Sequence, residues 1–179
     1  MCSQFLRQHP DSSTDFVEAI QVEVARQPAG ALKLTYVLTG DLAGIRLDEL
    51  NSSSGRADCL WQHTCCEAFI CSPGSAAYRE FNFSPSGLWQ AYAFSKYRVG
   101  GLLELAADPL IECIFEPRRL TLTATIQAAD LPPGSSLCLG LTAVVESASG
   151  DMTYWALHHA PGKPDFHHPD TFALELDLT

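Results

Sequence analysis

Basic residues are scarce in this chain, with 11 Lys and Arg against 21 Asp and Glu and a formal net charge of −10. Nucleic-acid affinity rests largely on neutralising phosphates with basic side chains, so this shortage argues against a polyanion partner. The one adjacent basic pair is Arg118 and Arg119. Long apolar runs are missing as well. No segment approaches the roughly 18 residues that span a bilayer, and MCSQFLRQHPDSST lacks the apolar stretch of about 7 to 15 residues that a secretory signal needs. The expectation is a cytoplasmic protein without a membrane partner.

Catalytic signatures are absent too: there is no GxSxG elbow, no phosphate-binding Gly-rich loop and no HExxH. Ser84 and Ser86 in SPSG read as turn-capping hydroxyls. Glu67 and Glu80 form a carboxylate pair of the kind a glycosidase uses, but such pairs recur by accident in β-proteins. A non-catalytic protein is expected. No CxxC occurs, and the seven cysteines (Cys2, Cys59, Cys65, Cys66, Cys71, Cys113 and Cys138) form an odd set. They read as free thiols in a reducing compartment, with Cys65 and Cys66 diverging to opposite faces of a strand.

What is present is a strong period of two. Hydrophobic residues make up 46% of the chain, enough for a substantial core, and the length suits one domain spanning residues 1–179. In FVEAIQVEV, Ile20, Val22 and Val24 share a face; after PAGA, Leu32, Leu34, Tyr36 and Leu38 alternate with Lys33, Thr35 and Val37. These two runs are expected to pair as a hairpin or meander. NSSSGRAD (51–58) reads as a polar loop before LWQHTCCEAFIC, a central strand. YREFNF and LWQAYAF flank the turn SPSG, and further runs follow at IECIFE, LTLTATIQ, LCLGLTAVVE, TYWALHH and FALELDL (172–178). GGLLELAADP is the one stretch where a helical turn competes with a strand. About ten short strands at this spacing predict an all-β fold, a two-sheet immunoglobulin-like or jelly-roll β-sandwich.

The blocks LWQHTCCEAFI, YREFNFSPSGLWQAYAF with SKYR after it, YWALHH and GKPDFHHPDTF together resemble the DOMON-like proteins of bacteria. These are relatives of carbohydrate-binding module family nine, and the resemblance covers roughly residues 15 to 178. It implies a β-sandwich whose pocket holds a sugar or a b-type haem. In the sugar-binding branch two Trp residues sandwich a pyranose, and a Glu follows the first within W-x5-E-x-F. Trp61, Glu67 and Phe69 match that pattern, and Trp155 matches the second Trp. Met152 stands where the sugar-binding branch can carry an Asn. Haem-binding relatives use Met with His or Lys, and this chain holds only Met1 and Met152, so half of that ligand pair is missing.

The candidate ligand contacts are therefore Trp61 and Trp155 as stacking faces, with Glu67, Asn82, Arg98 and His158 as polar partners. Glu67, Glu80 and Asn82 sit on otherwise apolar strands, where an unpartnered polar group costs about 1 to 3 kcal/mol. An internal ion pair with Arg79 or Arg98 is the structural alternative. His158, His159, Asp165, His167, His168 and Asp170 crowd the C-terminal region. His159, His167 and Asp165 are the candidate ligands for a divalent metal, although neighbouring histidines on a strand diverge. The expectation is a module binding a small saccharide between two Trp rings. A metal or haem b protein, and an interaction domain that pairs with itself as a homodimer through an exposed sheet, are the alternatives.

Overall fold

The computed structural model describes residues 2–47 and 55–177; Met1, the first half of the expected 51–58 loop and Leu178 lie outside them. The fold is all-β. Strands β1 (Cys2–Gln8), β2 (Val17–Arg26) and β3 (Leu32–Gly40) open the chain, and the two-residue β4 (Gly55–Arg56) follows. The middle holds β5 (Cys65–Cys71), β6 (Tyr78–Phe83), β7 (Leu88–Lys96) and β8 (Val99–Leu102). Then come β9 (Leu110–Glu116), β10 (Arg119–Ile126), β11 (Ser136–Glu146), β12 (Met152–Ala156) and β13 (Leu174–Asp177). Among the described residues no helix is long and apolar enough to cross a membrane.

The expected pairings of β2 with β3 and of β6 with β7 are present, both antiparallel. Gly87 takes a φ of 89° in the turn that joins β6 to β7, a left-handed conformation open to glycine at little cost. β1, β4 and β8 lie outside the sequence-predicted strands, and GGLLELAADP resolves as strand only through Leu102. β4 and β8 are too short for alternation to register.

Two separate sheets were expected, and one continuous curled path is found: β4-β7-β6-β5-β11-β12-β1-β2-β3-β10-β9, with β8 paired to β7 and β13 to β11. The cause is β1. Its residues Cys2–Leu6 pair with β2, while Arg7 and Gln8 go on to pair with Ala156 and Trp155 of β12, so the ladder never breaks. The curl brings its two halves over one core. Ile20, Val22, Leu34, Tyr36 and Leu122 from one half pack with Ala68, Ile70, Phe81, Phe83 and Trp89 from the other. The Tyr36 hydroxyl crosses that core and donates to the Glu67 carbonyl at 2.7 Å.

Alternation explains most of this core: Leu120, Leu122, Ala124 and Ile126 of β10 are buried, and the threonines between them are partly exposed. β5 departs from it, because all seven of its residues are buried. Such a strand is covered on both faces. Its inner face meets the main core; its outer face lies under the segment that follows β12, with Phe166 and Phe172 packed on Phe69, Cys71 and Tyr78. Gly140 on β11 permits that cover, since a Cβ there would stand 3.1 Å from the Thr171 carbonyl oxygen.

Candidate functional site

The outer face of β5, β6, β7 and β11 carries a buried polar row. Register places Thr142, Glu67, Asn82 and Gln90 side by side on four adjacent strands, and one step along each strand pair places Gly140, Phe69, Glu80 and Tyr92. Residues two apart on a strand share a face, so Glu67 and Phe69, Glu80 and Asn82, and Gln90 and Tyr92 all project from this side. Glu67, Glu80, Asn82, Gln90 and Thr142 are buried.

Polar bonding within the row is incomplete. Asn82 Nδ2 donates to Glu80 Oε1 at 2.8 Å, and Thr142 Oγ1 donates weakly to Glu67 Oε2 at 3.4 Å. Glu67 Oε1 and Asn82 Oδ1 are buried and have no hydrogen-bond partner among the described residues. Each such orphan costs about 1 to 3 kcal/mol. Burial first, and the Glu80 carboxylate second, push Glu67 well above the ordinary carboxylate range. Burial raises Glu80 to about 7, against the lowering effects of Asn82 and of Arg98. Neither Arg79 nor Arg98 forms an ion pair with these carboxylates among the described residues, so the structural alternative raised by the sequence is not realised.

One end of the row is bordered by the turn that precedes β5. Gln90 Nε2 donates to Asp58 Oδ1 at 2.9 Å, and His63 Nδ1 meets Glu146 Oε2 at 2.7 Å, which pins the turn at both ends. Between these anchors a 3-10 turn over Leu60–Gln62 buries Leu60 and leaves Trp61 46% exposed, resting the turn against β5, β6 and β7. The half-buried Tyr92 stands at the same end. Its hydroxyl is raised to about 12 by burial and then by Glu80, Asp58, Cys59 and Cys65 in turn.

The other end is closed by His167. Its Nδ1 lies 2.7 Å from the Tyr78 hydroxyl and its Nε2 lies 3.7 Å from Glu80 Oε2. The ring is walled edge-on by Phe69 at 5.1 Å and Phe94 at 5.2 Å. Burial, with the nearby Arg98 guanidinium, lowers His167 to about 4. The imidazole is thus neutral over the physiological range. Arg98 Nη2 donates to Asp165 Oδ1 at 2.8 Å, and the Tyr97 hydroxyl donates to Oδ2 at 2.7 Å. Burial alone would raise the Asp165 carboxyl, and these two bonds outweigh it and hold it below its usual range.

The sequence-predicted contacts divide. Glu67 and Asn82 share the row, Trp61 borders one end and Arg98 sits beyond the other. Trp155 does not join them. It is 5% exposed and packed in the main core, because its neighbours in register, Ala143 and Cys66, project from the inner face. Its Nε1 donates to Thr153 Oγ1 at 3.1 Å. The expected slot between two exposed indoles is therefore corrected, since Trp155 is sealed in the core while Trp61 is exposed. His158 is exposed in the bend after β12.

The three candidate metal ligands are dispersed over other tasks. His159 Nε2 contacts the Arg7 carbonyl at 2.7 Å, His167 is bound to Tyr78, and both Asp165 oxygens are engaged. Among the described residues no group of three His, Cys, Asp or Glu is gathered to hold a metal. Sequence reasoning missed Gln90, Tyr92, Tyr78 and Phe94. A usable signal existed, because Gln90, Tyr92 and Phe94 are the alternate residues of LWQAYAF, and a Gln in phase with two aromatics marks a face that is neither plain core nor plain surface.

No protein-family model matches the chain, and no curated protein matches it in sequence. Its fold is similar to that of a provisionally assigned carbohydrate-binding protein from Bacteroides uniformis: TM-score 0.73 at 16% identity, covering 99% of this chain and 86% of that one. It is also similar to a carbohydrate-binding module of family nine from Caldicellulosiruptor kristjanssonii, solved with glucose. That match has a TM-score of 0.54 at 13% identity and covers 94% of this chain and 80% of the other. At such identities the likeness is one of fold.

Proposed function

We propose that this protein is a non-catalytic module that binds a small saccharide at the outer face of β5, β6 and β7, with its curled sheet serving as a two-layer sandwich. The observation that carries the reading is the pair of orphaned oxygens, Glu67 Oε1 and Asn82 Oδ1, in a row that ends beside an exposed indole. Sugar hydroxyls both donate and accept hydrogen bonds, so they can pair with the Asn82 amide oxygen and with the Glu67 carboxyl in either protonation state. Trp61 supplies a flat apolar face for the C–H side of a pyranose, and Tyr92 supplies a second aromatic edge. Trp155 acts from within the core as a packing residue. The fold likeness to two carbohydrate-binding proteins, one holding glucose, supports the ligand class.

Calorimetric titration of the purified chain with D-glucose and cellobiose tests this directly. Saturable heat is expected with at least one of them and is expected to weaken tenfold or more in Trp61→Ala. Titrations that stay flat for both sugars, on protein shown to be folded, would overturn the reading.

A further inference from the structure

Away from the polar row, the outer face holds a second chemical feature that the saccharide reading does not use. Cys71, the last residue of β5, pairs in register with Cys138 of β11. Both side chains project from the face that carries Glu67 and Thr142, since each lies an even number of residues from its strand-mate. The two thiols are close enough for each to feel the other's charge. Both are free: Cys71 is 9% exposed beneath Phe69 and Tyr78, and Cys138 is only partly buried.

Directly opposed residues in an antiparallel ladder have Cα atoms about 4.5 to 5.5 Å apart, whichever kind of pair they form. A disulfide accepts Cα separations of about 4.4 to 6.8 Å, so the backbone spacing of this pair suits the bond. Cys65 and Cys66, adjacent on one strand and pointing to opposite faces, do not meet that condition.

We infer that Cys71 and Cys138 form a reversible cross-strand disulfide, a redox modification site that staples β5 to β11. The oxidant is a small disulfide such as oxidised glutathione. The Cys138 thiolate, the more exposed of the two, attacks one sulfur of the oxidant and expels the first reduced thiol. The Cys71 thiolate then attacks Cys138 Sγ and expels the second. Two protein thiols are oxidised, one disulfide is reduced to two thiols, and the two protons pass through solvent to the departing thiolates. Burial and the neighbouring Cys138 raise the Cys71 thiol to about 11, which makes the second step the slow one and favours mildly alkaline conditions.

The test is to hold the full native chain with oxidised glutathione at mildly alkaline pH, block the remaining thiols with iodoacetamide, and map the products by mass spectrometry. The expected result is a linked Cys71–Cys138 peptide, glutathione adducts only on exposed thiols such as Cys59, and a melting temperature several degrees higher that dithiothreitol reverses. Cys71→Ser is expected to stop at a stable glutathione adduct on Cys138. A wild-type chain that stops at that adduct, with Cys71 still alkylated, would overturn the inference. So would recovery of both thiols unmodified while the exposed Cys59 reacts. The inference stands apart from saccharide binding, and neither result bears on the calorimetric titration.

Discussion

The two faces of β5, β6, β7 and β11 are hidden from water to nearly the same degree, yet they differ in kind. The inner face offers Cys66, Ala68, Ile70, Phe81, Phe83, Trp89 and Ala143, with Trp155 alongside on β12. The outer face offers Glu67, Glu80, Asn82, Gln90 and Thr142 under a cover of Phe69, Phe166 and His167. Among the described residues the inner face leaves only Trp89 Nε1 without a partner, its other indole donor, Trp155 Nε1, being held by Thr153, whereas the outer face leaves orphaned oxygens on two of its five polar residues. Burial alone therefore does not separate core from site; hydrogen-bond satisfaction does.

The largest effect that tests this contrast is expected inside. Trp155→Ala empties a core position and should cost about 3 to 5 kcal/mol, read by urea denaturation. A loss under 1 kcal/mol would mean that Trp155 is not packed as described.

The outer face should show its character in pH dependence. Folded Glu80 keeps its proton up to about pH 7, whereas an ordinary carboxyl loses it near 4.5. The folded state is therefore favoured below pH 4.5 and loses on the order of 3 kcal/mol as pH rises to 7, at about 1.4 kcal/mol per unit. Glu80→Gln should flatten that decline in melting temperature. His167 acts in the opposite sense in an overlapping window. Its folded pKa of about 4 lies below the ordinary 6.5, so its contribution is complete above 6.5 and is lost as pH falls toward 4. His167→Gln should leave the carboxyl slope unopposed by His167 and therefore steeper. An unchanged pH profile in both variants would break the account of the row.

A smaller effect is expected for Asn82→Ala, which deletes an orphaned oxygen together with a 2.8 Å bond to Glu80. The two partly cancel, leaving a loss of about 1 kcal/mol in chemical denaturation. Smallest of all is Trp61→Ala, which should change stability by no more than about 0.5 kcal/mol, since the ring is exposed, while weakening saccharide binding tenfold or more. A large stability loss at Trp61 would move it from the site to the scaffold.

Much of the fold was legible in the chain itself. The alternation in β2, β3 and β10, the punctuation around YREFNF and LWQAYAF, and the mixed polar and apolar character of the Glu67, Glu80 and Asn82 positions all follow from side-chain period and turn chemistry. The role of β1 was not legible, because Gln4 and the exposed Phe5 interrupt any alternation and its change of partner at Arg7 depends on β12, far along the chain. The cover over the outer face was equally hidden, since His167 reaches Glu80 only after the segment beyond β12 folds back.

The sequence by itself determined that the chain would be β-structured and which residues of each strand would share a face, because pleating sends alternate side chains to opposite sides whatever surrounds them. The tertiary structure alone decided which face would look into the core and which would lie under a loop. Parity along a strand is a local property, whereas the environment of each face is set by segments far away in the chain. For that reason Trp61 and Trp155, equivalent candidates in the sequence, ended in different surroundings, one exposed in a turn and the other packed in the core.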